Sequence, residues 1–326
     1  MRFIPTHLST ALAVALAAGL APMAHGQTDA YPDRPITVVV AYPPGGSTDL
    51  TGRAVADQLS KKLGVPVIVE NVGGAGGAIG AQKVSRAAPD GYTVLLGANN
   101  EIVINRLISP SVKYSYKDFT PIGLVASQPM VLVASTHSGI KTVDQFIGTV
   151  KTQPGKYVYG SSGVGTALHL SAEMVKQQAG LFISHIPYRG VGPLTTDLYG
   201  GTVDFGVYVL SSGLSHIRAG KVVALGITEK KRSAVAPDIA PLADHPALKN
   251  MDISVWFALM APPNLPEAIA ARLRKALAES LQVPEFRKKL EDSGSTVAPL
   301  NAEMGKFLAA ESEKYQKIVT FANIKE

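Results

Sequence analysis

Two short stretches of the 326-residue chain carry residue types suited to holding an anion. The first is "PPGGSTD" at 43–49, with Gly45, Gly46, Ser47, Thr48 and Asp49. The second is "GSSGVGT" at 160–166, with Ser161, Ser162, Gly163, Gly165 and Thr166. In each, glycines let backbone approach a ligand closely and hydroxyls supply donors. Each also precedes a helical pattern, whose free first-turn N–H groups attract negative charge. A plain strand-to-helix turn with a Ser or Thr cap would use the same residues. One such loop decides little. One in each half of the chain suggests a cleft that clamps an anion between opposing helix ends.

Other chemistries find less support. "GSSGVG" departs from the G-x-S-x-G nucleophile elbow, because Val164 stands where glycine is needed. A Ser162–His169 hydrolase is therefore the rival reading from another class. His169 lies one helical turn beyond the second loop, and Arg189 in "HIPYRG" could bind a carboxylate bidentately or sit on the surface. "NVGGAGGAIGAQ" at 71–82 fails the dinucleotide spacing, since Ile79 falls on the third glycine, and close helix–strand packing is its expected use. No Walker lysine, H-E-x-x-H or metal-spaced histidine pair occurs, so neither cofactor nor metal is expected.

These loops need strands to end on and helices to open. "ITVVVAY" (36–42), "PVIVEN" (66–71) and "YTVLLGANN" (92–100) read as buried parallel strands, with helices in "STDLTGRAVADQLSKKLG" and "GAGGAIGAQKVSRAAPDG" between them. The alternation restarts at "KYVYGSSG" (156–163) and continues through "FISHIPY", "VDFGVYVL" and "VVALGIT". Strands alternating with helices imply an α/β fold, here as two lobes. "PIGLVASQPMVLVAS" (121–135) and "ISVWFALMAPPN" (253–264) are long enough to cross between them, and the chain beyond Pro266 reads as helices.

"MRFIPTHLSTALAVALAAGLAPMAHG" (1–26) has the basic start, short apolar run and small-residue end of a secretory leader, with a mature start near Gln27. The chain has no cysteine, which excludes both disulfides and a diacylglyceryl anchor. Its formal charge of +6, one unit less once Arg2 leaves with the leader, is spread out. No basic stripe interleaved with aromatics argues for nucleic acid.

Taken in order, "YPDRPITVVVAYPPGGSTDLTGRAVADQLSKKLG", "VIVENVGGAGGAIGA", "AAPDGYTVLLG", "YGSSGVGTALHL", "IPYRG" and "ALGITEKKR" closely resemble the Bug (TctC-like) family of extracytoplasmic solute receptors. The resemblance spans essentially the whole mature chain. It implies a non-enzymatic, type II-like periplasmic binding protein whose two lobes, each a mostly parallel sheet flanked by helices, are hinged on two crossing strands. It also implies delivery of a small mono- or dicarboxylate to a tripartite tricarboxylate transporter in the membrane, or to a membrane signalling partner. The expected division is 27–125 plus 253–326 for one lobe and 126–252 for the other. A monomer without cofactor is expected.

Carried over, the family's ligand loops fall on Gly45, Gly46, Ser47, Thr48 and Asp49, and on Ser161, Ser162, Gly163, Gly165, Thr166 and His169. There the ligand carboxylate is held by backbone amides, hydroxyls and ordered water. Two places depart from the commoner pattern. Tyr208 stands where relatives have an acidic or amide residue, which argues against an amino-acid ligand. With Tyr42 it could stack on a flat ligand body, or it could be a packing tyrosine. Asn99 or Asn100 is expected to read the far end of the ligand, and Glu101 would repel a second carboxylate unless it faces away.

Overall fold

The structure is a computed structural model that describes residues 31–300, 302–322 and 324. The expected leader, 1–26, and its cleavage point lie outside the described residues.

β1 (Ile36–Val40) is apolar on both faces and sits between two parallel neighbours, β2 (Val67–Asn71) and β3 (Thr93–Ala98). Helices α1 (Ser47–Leu63) and α2 (Ala78–Ser85) make the crossovers. Val55, Leu59 and Leu63 of α1 turn inward at helical spacing, and Gly64 ends the helix. Each large apolar side chain buried this way contributes roughly 1.5–3 kcal/mol. The third strand is shorter than its sequence suggests. Glu101 Oε1 accepts the Ala98 N–H at 2.7 Å, and the chain coils into a π-helical turn at Asn100–Ile104 that continues as α3 (Asn105–Ile108).

β4 (Thr120–Ser135) joins the two lobes. Its first half, to Pro129, runs antiparallel to β9 (Ser254–Ala261), which in turn pairs antiparallel with β3. From Met130 it pairs instead with β7 (Phe205–Val209) and β8 (Val222–Ile227). Past α4 (Val143–Thr152), β5 (Val158–Ser161) lies parallel to both β6 (Ser184–Pro187) and β7. The sheets are mixed, because both crossing strands run against a neighbour. α5 (Ala167–Ala179), α6 (Val191–Gly200) and α7 (Leu210–Arg218) connect the second-lobe strands. The alternation of β4 is visible in the packing. Val131 and Val133 join the cluster under α6 and α7, while Met130, Leu132 and Ala134 enter the main core. α8 (Glu267–Leu281), α9 (Pro284–Asp292), β10 (Thr296–Val297) and α10 (Met304–Ala322) follow β9, and β10 pairs antiparallel with β4.

Where β4 changes partners, polar side chains hold the crossing together. Thr228 Oγ1 accepts the Met130 N–H at 3.0 Å and donates to the Ile253 carbonyl at 2.6 Å. Buried Gln128 donates to Ser295 Oγ at 2.7 Å and accepts the Ser211 N–H at 3.2 Å. One side chain thereby ties the β10 region to the head of α7.

Candidate functional site

The 43–49 loop leaves β1 and opens α1. Gly45 has φ +91°, a left-handed conformation that favours glycine, and Gly46 is the N-cap without any side-chain cap. The first-turn N–H groups of Ser47, Thr48 and Asp49 thus have no intrahelical acceptor. Ser47 and Thr48 face the space between the lobes. Asp49, expected at the ligand, is instead the brace of its own loop. Its Oδ2 accepts the Gly45 N–H and Arg53 Nε, both at 3.0 Å, and Oδ1 takes Asn71 Nδ2 at 2.9 Å. Burial alone would raise its carboxyl, but the Arg53, Gly45 and Asn71 bonds outweigh that and hold it below the ordinary value.

The second loop is knotted by its own hydroxyls. Thr166 Oγ1 donates to the Gly163 carbonyl at 2.9 Å and caps the His169 N–H at 3.3 Å. Ser161, fully buried, pairs with His185 Nε2 at 2.7 Å. His169 Nδ1 accepts the Gly165 N–H at 2.9 Å, and its ring stacks on His185 with centroids 3.9 Å apart. Burial, then Lys176, pushes His169 down to about 4, and burial, then the neighbouring His169, pushes His185 down to about 3, so both are neutral at pH 7. This arrangement removes the hydrolase. Ser162 Oγ bonds Thr166 Oγ1 at 3.3 Å, while the His169 nitrogen a nucleophile would need is occupied by a backbone N–H.

The two asparagines part company. Asn99 is fully buried and donates to Tyr315 Oη and to the Ser254 carbonyl, turning towards α10 and away from the cleft. Asn100 faces the cleft, where its Nδ2 donates to Tyr42 Oη at 2.8 Å and its Oδ1 accepts the Ala167 N–H at 2.6 Å. Glu101 turns inward, is buried and lines neither compartment of the cleft. Tyr208 is the packing tyrosine of the two alternatives. It is fully buried under α6 with its hydroxyl 2.8 Å from Thr195 Oγ1, so it stacks on nothing in the cleft.

Between the lobes lie two joined compartments. The inner one, about 100 Å³, is lined by Tyr42, Gly46, Ser47, Thr48, Asn100 and Ser162, over a floor of Ala98, Leu168, Val209 and Val255. The outer one, about 770 Å³, opens past residues 73–77 and 162–164. Tyr42, Pro43, Ser162, Arg189 and Gly190 line both. Arg189 is exposed and the one charged side chain on either lining among the described residues. Asp49, Ser161, Gly165, Thr166 and His169 are buried behind the lining and shape it, while Gly45 is exposed and lines neither compartment.

Two contributors escaped the sequence reading. The head of α6, residues 190–193, brings a second helix N-terminus against that of α1, and a Cβ on Gly46 would lie 4.0 Å from Val191 Cγ2. The sequence signal was Gly190 followed by Pro193 in the first helical turn. The other is the glycine loop 73–77, which walls the outer compartment as well as serving packing. The inner compartment therefore collects the positive ends of two helices, several hydroxyls and one guanidinium, with no carboxylate on its lining. Among the described residues no helix is long and apolar enough to cross a membrane.

Comparison with known proteins agrees with this architecture. A family model described as "Tripartite tricarboxylate transporter family receptor" (TctC) matches residues 51–324. The periplasmic binding protein BugD is 30% identical with a TM-score of 0.85, over 90% of this chain and 99% of that one. Rpa4515 of R. palustris, solved with adipate, is 28% identical with a TM-score of 0.87, over 90% and 99%. MatC from Rhodopseudomonas palustris, solved with bound malate, is 29% identical with a TM-score of 0.82, over 89% and 100%. The neighbours are solute-binding proteins, and this chain, sharing their two-lobed fold, belongs to the TctC family of tripartite tricarboxylate transporter receptors.

Proposed function

We propose that this receptor captures a small organic mono- or dicarboxylate in the periplasm and presents it to a tripartite tricarboxylate transporter. The observation that carries this reading is the inner compartment, where the N-termini of α1 and α6 and the Arg189 guanidinium converge and no acidic group lines the wall. The first-turn N–H groups and the hydroxyls of Ser47, Thr48 and Ser162 would take the carboxylate. The floor of Ala98, Leu168, Val209 and Val255 suits an aliphatic or aromatic body. Binding of adipate and malate by two relatives supports the ligand class. Capture would proceed by closure of 27–125 plus 253–326 against 126–252 about β4 and the start of β9, with ligand favouring the closed state.

The test is thermal unfolding of the purified mature chain against carboxylates, amino acids and the matching neutral amides. A carboxylate ligand should raise Tm with the logarithm of its concentration, as mass action requires, while its amide should not. A shift by amino acids alone would contradict the proposed ligand class.

A further inference from the structure

Glu101 is 1% exposed, and the site as described so far makes no use of it. Its Oε1 accepts the Ala98 N–H at 2.7 Å, and its Oε2 lies 3.1 Å from Tyr42 Oη. The tyrosine hydroxyl has two other neighbours, each with a single possible role. The Gly76 carbonyl, at 2.9 Å, can only accept, and Asn100 Nδ2, at 2.8 Å, can only donate. The phenol has one proton. The Gly76 carbonyl also accepts Asn105 Nδ2 at 3.0 Å. A hydrogen on Oε2 lets Glu101 donate to Tyr42 while the tyrosine proton goes to Gly76. The neutral acid completes all three bonds. An ionised Glu101 would compete with Gly76 for the single tyrosine proton. Because Tyr42 takes the Asn100 N–H, the Asn100 amide oxygen is turned to the other lobe, where it accepts the Ala167 N–H at 2.6 Å at the head of α5.

We infer that Glu101, as a neutral acid, is a positioning residue for capture: it holds Tyr42, which orients Asn100, and so ties the interlobe bond to Ala167 to one bound proton. The inference deepens the carboxylate-receptor reading and rests on it for its effect on affinity.

The surroundings favour the neutral form. Burial pushes the Glu101 carboxyl up to about 8, against the lowering effect of its backbone bonds and of Tyr42. The ionisable groups that face it are Tyr42 and Tyr114, both themselves raised by burial and then by Glu101. Among the described residues no cation reaches it from the elements packed around it. Arg106 of α3 bonds the Val112 carbonyl, Lys83 of α2 pairs with Glu70, and Lys314 of α10 pairs with Glu311. Tyr315 of α10 is bonded to Asn99 and Ser254. β3 and residues 75–77 carry no charged side chain. The proton is therefore held up to about pH 8 and lost above it. Ionisation would loosen the latch and place a negative charge behind an anion site. Affinity for a carboxylate should then fall, by at most about tenfold per pH unit. His169 and His185 do not titrate in that window.

Glu101→Gln is the decisive variant, because its amide can donate to Tyr42 and accept from Ala98 while staying neutral at every pH. The chain has no cysteine. Spin labels on Leu50→Cys and Thr196→Cys therefore report the interlobe distance without a competing thiol. We expect this distance, measured without added ligand, to lengthen above about pH 8 in the parent and not in Glu101→Gln. With adipate as the probe, affinity should fall at least about tenfold between pH 7.5 and 9.5 in the parent and stay level in Glu101→Gln. Tyr42→Phe, which removes the relay and keeps the acid, should also lose the pH response of the labels. A distance that does not change with pH in the parent, or changes alike in parent and Glu101→Gln, overturns the inference. A Glu101-dependent opening together with no binding of adipate or any other carboxylate would support the latch and refute the carboxylate reading.

Discussion

A Cβ built on Gly165 of one lobe would lie 1.7 Å from Ile108 Cδ1 of the other. The two lobes thus meet at a point where only a hydrogen fits, at a residue whose φ of +69° already disfavours a side chain. Gly165→Ala should therefore hold the cleft ajar and weaken ligand binding at least about tenfold. Adding Ile108→Ala removes the overlap but not the backbone strain, so the double variant should recover part of the affinity. Isothermal titration of the double-mutant cycle measures the coupling, and purely additive effects would contradict direct contact on closure.

Asp49 acts as a brace, and that role has a pH signature. Its folded carboxyl titrates below the ordinary value of 3.8, so its contribution to stability is present above that pH and is lost as the pH falls below it. Asp49→Asn should cost about 1–3 kcal/mol at pH 7, because it sets an amide against the Gly45 and Arg53 donors. Urea unfolding at pH 7 and at pH 3 should show the difference from the parent shrinking in acid.

Arg189 is exposed and makes no ion pair with another described residue, so its replacement should leave the fold alone. Arg189→Gln is expected to weaken carboxylate binding about tenfold or more, with Tm unchanged in the absence of ligand. Titrations at low and high salt should show a shallower salt dependence in the variant. Equal affinities would place Arg189 outside the site.

Tyr208 gives the opposite pattern. Tyr208→Phe loses one hydrogen bond to Thr195, whose hydroxyl still donates to the Val191 carbonyl at 2.8 Å. It should cost about 1 kcal/mol of stability and leave affinity within twofold. A large loss of affinity would mean that the tyrosine reads the ligand after all.

The order of elements was legible because strands and helices differ in period and because Gly, Pro, Ser and Thr mark their ends. The run 36–40, the helix 47–63 and the crossing 120–135 all follow from apolar spacing and turn chemistry. So do the two glycine- and hydroxyl-bearing loops and, through the ordered set of motifs, the family. Legibility failed at the ends of elements. Residues 99 and 100 are consecutive asparagines, yet one is sealed against α10 and the other reaches across the cleft.

The sequence by itself determined the two-lobed α/β plan, the loops at the strand ends and the absence of a catalytic or metal motif. Only the tertiary structure decided which loop residues line the cleft and which brace it from behind. It made Asp49 a brace, buried Tyr208, set the head of α6 against that of α1 and gave Glu101 its partners. Local patterns encode backbone period and turn type. The direction and ionisation of a polar side chain at a strand end depend instead on partners far along the chain, as Asn100 and Ala167 are, and on whether water reaches them.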